Sequence, residues 1–340
     1  MNITLSSCFG AVTLMAAAAA APVASMAQSA DGASITIYNG QHLALTNEWA
    51  DGFTKMTGVK VVLRNAEDTE LANQIIQEGA ASPADVILTE NSPSMDLLDQ
   101  AGRFAPPPAD TLAQVLDNFK PADGHWTGVA ARSTAFVYNK NKLTPDQMPK
   151  SIMDLAGPSW KGRWGGAVTG ADFQAIISAI LELKGDAATL DWLKGMKANA
   201  KLYKGNGAAL KAVNDGQVDS AVIYHYYFMR DHLTTGQDTG NSALYYFKNR
   251  DPGAFISTSG GGVLASSKHV ADAQAFLKFI TSKEGQTILA KGDSMQYAVG
   301  VGVPSNPGLM PLSDLQPPKV DPAKLNGKRV IDLITEAGLM

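Results

Sequence analysis

Strand-like and helix-like segments alternate from residue 35 onward with only brief connections, and this constrains the fold more than any other feature of the chain. Ile35-Thr36-Ile37-Tyr38 alternates as a strand and breaks at Asn39-Gly40, after which Leu43 to Met56 has helical spacing. Gly58 ends that helix, Val59 to Leu63 is the next strand and Leu71 to Ala80 the next helix. Ala84 to Leu88 is a third strand running into Thr89-Glu90-Asn91, and Ser94 to Ala101 is a third helix. The pattern predicts an α/β fold with an open, largely parallel sheet and helices on both faces. Ligands in such sheets bind in the crevice beyond the carboxyl ends of the strands, and His42 and Glu90 both lie just past a strand end.

Val129 to Tyr138 predicts a longer strand, long enough to cross between two lobes. Helices are expected over Phe173 to Lys184, closed by Gly185, over Ala187 to Lys197 and over Ala208 to Asp215. Gln217 to Ile223 is then a strand delivering the aromatic run Tyr224-His225-Tyr226-Tyr227-Phe228. A return crossing is expected over 254–262, a helix over Ala271 to Ile280, and a terminal helix within 327–340. A chain of 340 residues exceeds a comfortable single core. The expected division is a first lobe of 28–131 with about 257–305, and a second of 132–256 with about 306–340.

The N-terminus reads as an export signal. Gly10 to Ala24 is an Ala-rich apolar run ending in Ser25-Met26-Ala27, a small-x-small cleavage site, and it is shorter than the about 20 residues a membrane span needs. The stretch before it carries no Lys or Arg, a departure from the usual signal. Cleavage after Ala27 predicts a periplasmic protein and removes Cys8, the only cysteine. That excludes disulfides, thiolate metal sites and cysteine nucleophiles from the mature chain. Net charge is −4 without a basic stretch, so nucleic acid is not an expected partner. The chain has no Gly-x-Ser-x-Gly elbow, no His-Glu-x-x-His and no Asp-rich metal pattern, which argues against a secreted metal-assisted hydrolase and against an enzyme generally.

The segments Ile35 to His42, Ser82-Pro83-Ala84-Asp85-Val86, Glu90, Arg132-Ser133, Tyr226-Tyr227, Arg250-Asp251-Pro252-Gly253 and Lys283-Glu284-Gly285-Gln286 follow one another in the order and spacing of a known family. Over about residues 34–340 the chain resembles the periplasmic ferric-ion-binding proteins of bacterial ABC iron importers. The resemblance implies a type II periplasmic-binding-protein-like fold, two α/β lobes joined by crossing strands with the ligand in the interlobe cleft. It implies Fe3+ as transported ligand, held by His42, Glu90, Tyr226 and Tyr227, and a monomer that delivers it to inner-membrane ABC permease subunits. In the family a synergistic anion such as carbonate or phosphate completes the metal shell, held by a Ser-Gly-Ala turn and by amide side chains.

Here that turn reads Gly170-Ala171-Asp172, and Tyr224 stands where some members carry Asn, while Asn91 and Asn206 are the candidates for the amide roles. Asp172 reads first as the N-cap of the helix at Phe173. Alternatively its carboxylate takes the place of the anion. Arg132 is the candidate cation facing the cleft, pairing an anion or orienting a ligand carboxylate.

The ligand chemistry stands on residue type as well. Fe3+ is hard and favours anionic oxygen, and two phenolates with one carboxylate bring three negative charges to it. Each residue also has an ordinary role: a Tyr pair packs in cores, His42 would suit a helix start, and Glu90 would suit the positive end of the next helix. Neighbouring tyrosines on a strand point to opposite faces, so both reach one ion only if the chain turns after Ile223. The rival ligand on the same fold is an oxyanion or a thiamine- or polyamine-like cation caged by the aromatic run.

Overall fold

Three strands open the sheet. β1 (Ser34–Asn39) runs parallel to both β2 (Lys60–Asn65) and β3 (Val86–Leu88). The connecting helices are α1 (Leu43–Thr57) and α2 (Asp68–Glu78), and α3 (Ser92–Gln100) follows β3. Helix α1 buries Leu45, Trp49 and Phe53, one every four residues, which places them on one face. It stops where Gly58 takes φ 79, a left-handed conformation that costs glycine little, and caps Thr54 through its N–H. This computed structural model describes Met1, residues 33–235 and residues 240–340. The export signal and its cleavage after Ala27, with Cys8, lie outside the described residues.

The short strand β4 (Phe104–Ala105) precedes β5 (Thr127–Asn139), which links the two lobes. Its 13 residues reach about 43 Å at about 3.3 Å each. The first half of β5 pairs antiparallel with β10 (Ile256–Leu264), ending at Ser133↔Ile256. The second half pairs antiparallel with β8 (Ser220–Tyr224), beginning at Thr134↔Tyr224. The change of partner falls beside Arg132. β6 (Trp164–Gly166) runs parallel to β7 (Ala200–Leu202) and β8, while β9 (Ser242–Tyr245) pairs with β5. The described sheet is continuous in the order β2-β1-β3-β10-β5-β8-β6-β7. Parallel pairing is thus confined to each lobe. The crossings are antiparallel because one strand leaves the first lobe and the other returns to it.

The second lobe carries α4 (Ala171–Asn199), α5 (Asn206–Asn214) and α6 (His225–Thr235). Gly185, at φ 80 and ψ 172, breaks α4 where two helices were expected. Helices α7 (Val270–Thr281) and α8 (Lys283–Lys291) return to the first lobe, and α9 (Gly327–Glu336) packs on α4. Separate apolar clusters stabilise the two sides. One gathers Ile35, Ile37, Trp49, Phe53 and Phe276, and another Phe136, Trp164, Phe173, Trp192 and Leu333. Each fully buried large side chain of this kind contributes about 1.5–3 kcal/mol.

Candidate metal centre

Each of the four predicted metal ligands sits at a junction between a strand and a helix, whereas Arg132 lies within β5. His42 occupies the position just before α1, and Glu90 and Asn91 lie between β3 and α3. β8 ends at Tyr224 and α6 begins at His225 without a connecting loop. The required turn is therefore present, and Tyr226 and Tyr227 occupy the first turn of a helix instead of opposite faces of a strand. Their rings stack at 4.3 Å between centroids, and Tyr226 meets His42 edge-on at 4.9 Å.

The polar atoms converge. His42 Nε2 lies 3.0 Å from Glu90 Oε1, and Arg132 Nη1 donates to Glu90 Oε2 at 3.0 Å. Tyr226 and Tyr227 donate their hydroxyls to Asp172 Oδ2 at 3.2 and 3.1 Å. Asn206 Nδ2 donates to the same oxygen at 2.9 Å, and Asn91 Nδ2 to Asp172 Oδ1 at 3.0 Å. Arg132, fully buried, stands 3.6 Å from Asp172 Oδ1 and so bridges the two carboxylates. Its guanidinium also lies over the Tyr226 ring at 5.3 Å.

Asp172 corrects an expectation. Helix α4 starts at Ala171 with Gly170 as its N-cap, so Asp172 is the second helical residue and caps nothing. Its carboxylate instead accepts from four side-chain donors, Tyr226, Tyr227 and Asn206 alongside it and Asn91 from the turn after β3, with the positive end of α4 behind it. Gly170 and Ala171 line the adjoining cavity of about 620 Å³ through which the site opens, together with Lys204 and Asn206. Tyr224 stands further back, its hydroxyl 3.4 Å from Asn91 Oδ1 and out of the Asp172 hydrogen bonds.

Burial and neighbouring charge set the protonation of the cluster. Burial acts to raise Glu90, but Arg132 and His42 outweigh it and hold that carboxyl at about 2. Burial, and then the charge on Glu90, raise Asp172. Burial and the Asp172 carboxylate push Tyr226 well above the ordinary phenol value and raise Tyr227 too. His225, between the tyrosines, is driven down to about 3 by burial and accepts the backbone N–H of Ser133 through Nδ1 at 3.1 Å. This neutral ring ties the start of α6 to the crossing strand.

Other residues at the site had no local signal in the sequence. Asp68 reads as an ordinary first-turn acid of α2, yet its buried carboxylate accepts the N–H groups of Glu90 and Asn91, both at 2.9 Å, and so fixes the turn carrying Glu90. Gly40 makes this possible, because a Cβ there would collide with the Asp68 carboxylate. Ser257, Ser259, Gln41 and Gln296 were missed for the same reason: their partners are distant in sequence.

Known proteins resemble this chain over nearly its whole length. Residues 81–323 match the family described as bacterial extracellular solute-binding protein. The Fe(3+)-binding periplasmic protein of Serratia marcescens is 59% identical over 340 residues, covering 100% of both chains. The major ferric iron-binding protein of Neisseria meningitidis is 38% identical and spans 90% of this chain and 93% of its own. Among solved structures, iron-bound HitA from Pseudomonas aeruginosa superimposes with a TM-score of 0.85 at 41% identity, covering 90% of this chain and 99% of its own.

Proposed function

This chain belongs to the bacterial extracellular solute-binding proteins, in the company of ferric-iron-binding members, and from that premise we propose that it captures Fe3+ in its interlobe cleft. The ligands in this reading are His42 Nε2, one Glu90 oxygen, the phenolates of Tyr226 and Tyr227, and one Asp172 oxygen. Five donors leave one position of an octahedron for water. Asn206 Oδ1, a buried acceptor without a described partner, suits a hydrogen bond from that water.

The observation that carries the reading is the Asp172 carboxylate accepting both phenol hydroxyls while Arg132 joins it to Glu90. A hard trivalent ion replaces the two phenol protons and takes the oxygens already gathered around them. Charge supports it. Two phenolates and two carboxylates exceed the charge of Fe3+ by one, and the buried Arg132 restores neutrality. An exogenous carbonate or phosphate would add uncompensated charge at the place Asp172 fills, so the internal carboxylate stands in for the synergistic anion. The rival caged organic cation is disfavoured because Arg132 already lies over the faces of Tyr226 and Tyr224.

In this reading 28–131 with about 257–305, and 132–256 with about 306–340, are the lobes that the ion draws together. His42 and Glu90 approach from one, Asp172 and the tyrosines from the other, so only the closed state satisfies all donors. Export to the periplasm, action as a monomer and delivery of the ion to ABC permease subunits complete the role. Visible titration of the metal-free protein with ferric citrate tests it: phenolate-to-iron charge transfer should colour the wild type, and Tyr226→Phe and Tyr227→Phe should each lose intensity. A colourless wild type would defeat the proposal.

A further inference from the structure

Residues 294–300 form a third stretch of chain at the junction of the lobes. Ala131 and Tyr297 exchange backbone hydrogen bonds of 3.0 and 2.8 Å, next to Arg132 on β5. Met295, Tyr297 and Val299 pack in the same apolar cluster as Phe136 and Trp164, whereas Ala298 packs with Ile35 and Trp49. Side chains alternate along such a stretch, so Gln296 faces away from its two neighbours and into the site. Met295 reaches this arrangement at φ 52, a left-handed conformation for a buried residue that is not glycine. Such strain persists where the surroundings over-determine it, and here it aims the next side chain.

Gln296 is completely buried and both ends of its amide are engaged. Its Oε1 accepts from Arg132 Nη2 at 2.5 Å and from Ser259 Oγ at 3.4 Å. Its Nε2 donates to Gln41 Oε1 at 2.9 Å, and that oxygen also accepts the backbone N–H of His42 at 2.8 Å. The guanidinium is a rigid planar fork, so fixing Nη2 decides where Nη1 points. Nη1 points between Glu90 and Asp172.

From this geometry we infer that Gln296 is a positioning residue for ferric capture: it holds Arg132 between the two ligand carboxylates and, through Gln41, holds the turn that presents His42. The inference rests on the ferric reading of the site. No ligand is contributed by Gln296 itself. Its role is to spare the site the reorganisation that iron would otherwise have to drive, which is how outer partners of metal ligands act.

Two substitutions separate positioning from mere packing. Gln296→Met keeps the volume and removes the acceptor for Arg132, while Gln296→Glu keeps that acceptor and loses the donation to Gln41. Ferric affinity would be measured by citrate competition, with the visible charge-transfer band and the thermal midpoint recorded alongside. Gln296→Met should bind about 10- to 100-fold more weakly with a displaced band, because Arg132 lies over the Tyr226 ring. Gln296→Glu should recover part of the affinity. If Gln296→Met yields no folded protein, Gln296→Asn, too short to reach Arg132, takes its place with the same expectations. Wild-type affinity with an unmoved band in the Met or Asn variant would overturn the inference, as would equal losses in that variant and the Glu variant. A colourless wild type would overturn the ferric reading together with it, whereas a coloured wild type beside an indifferent variant overturns only the role of Gln296.

Discussion

Removing the Asp172 carboxylate should convert this site from one that needs no external anion into one that does. Asp172→Ala deletes the group that gathers Tyr226, Tyr227, Asn206 and Asn91, all within 3.2 Å of its oxygens. Iron uptake brings three positive charges and expels two phenol protons, so the site facing this carboxylate gains about one unit of positive charge. At about 4 Å and an effective dielectric of about 20, that attraction is about 4 kcal/mol, or about 1000-fold in affinity. The vacated space keeps the amides of Asn91 and Asn206 as donors, so carbonate or phosphate can enter it. The assay is ferric competition against citrate, followed by visible absorbance, in buffer stripped of both anions and then with each restored. Wild-type affinity should not respond to either anion. The variant should lose about three orders of magnitude without anion and regain part of the loss with it. A wild type that requires added anion, or a variant that binds as tightly as wild type in stripped buffer, refutes the reasoning.

Burial, and after it the Asp172 carboxylate, keep both Tyr226 and Tyr227 protonated near neutral pH, whereas Glu90 at about 2 is already ionised. Iron uptake should therefore release about two protons from the phenols, and affinity should fall about 100-fold for each pH unit of acidification. A pH indicator in weakly buffered solution measures the release, and Tyr227→Phe should release about one fewer; equal release from both proteins would contradict the assignment. Away from the site, burial raises Asp96 to about 6, outweighing its hydrogen bond from Gln100, with Asp99, Asp123 and Asp321 adding to the shift. Unfolded Asp ionises near about 4, so between about pH 4 and 6 the native state binds more protons and loses stability as pH rises. Asp96→Asn should accordingly gain denaturation midpoint over wild type at about pH 7.5 relative to about pH 4.5, and an unchanged difference would rule the effect out.

Much of the candidate site was legible because its chemistry lies in residue types at strand ends. His42, Glu90 and the Tyr pair each follow a strand that the alternation pattern marks, and open sheets place such positions on one crevice. The turn after Ile223 was required on stereochemical grounds, and the chain meets it by passing from β8 to α6. Asp172 was legible only as a choice between two roles. The helix begins two residues before Phe173, at Ala171, which takes the carboxylate out of the capping position.

The sequence alone determined the α/β architecture and the crossing strands and supplied the candidate oxygen donors, because periodicity and side-chain chemistry are local properties. Tertiary structure decided which charges meet. Arg132 lies between Glu90 and Asp172, Asp68 clasps the Glu90 turn, and Gln296 holds Arg132. Those partners are separated by tens to hundreds of residues, and hydrogen bonding over such separations follows from how two lobes pack, which no local pattern encodes.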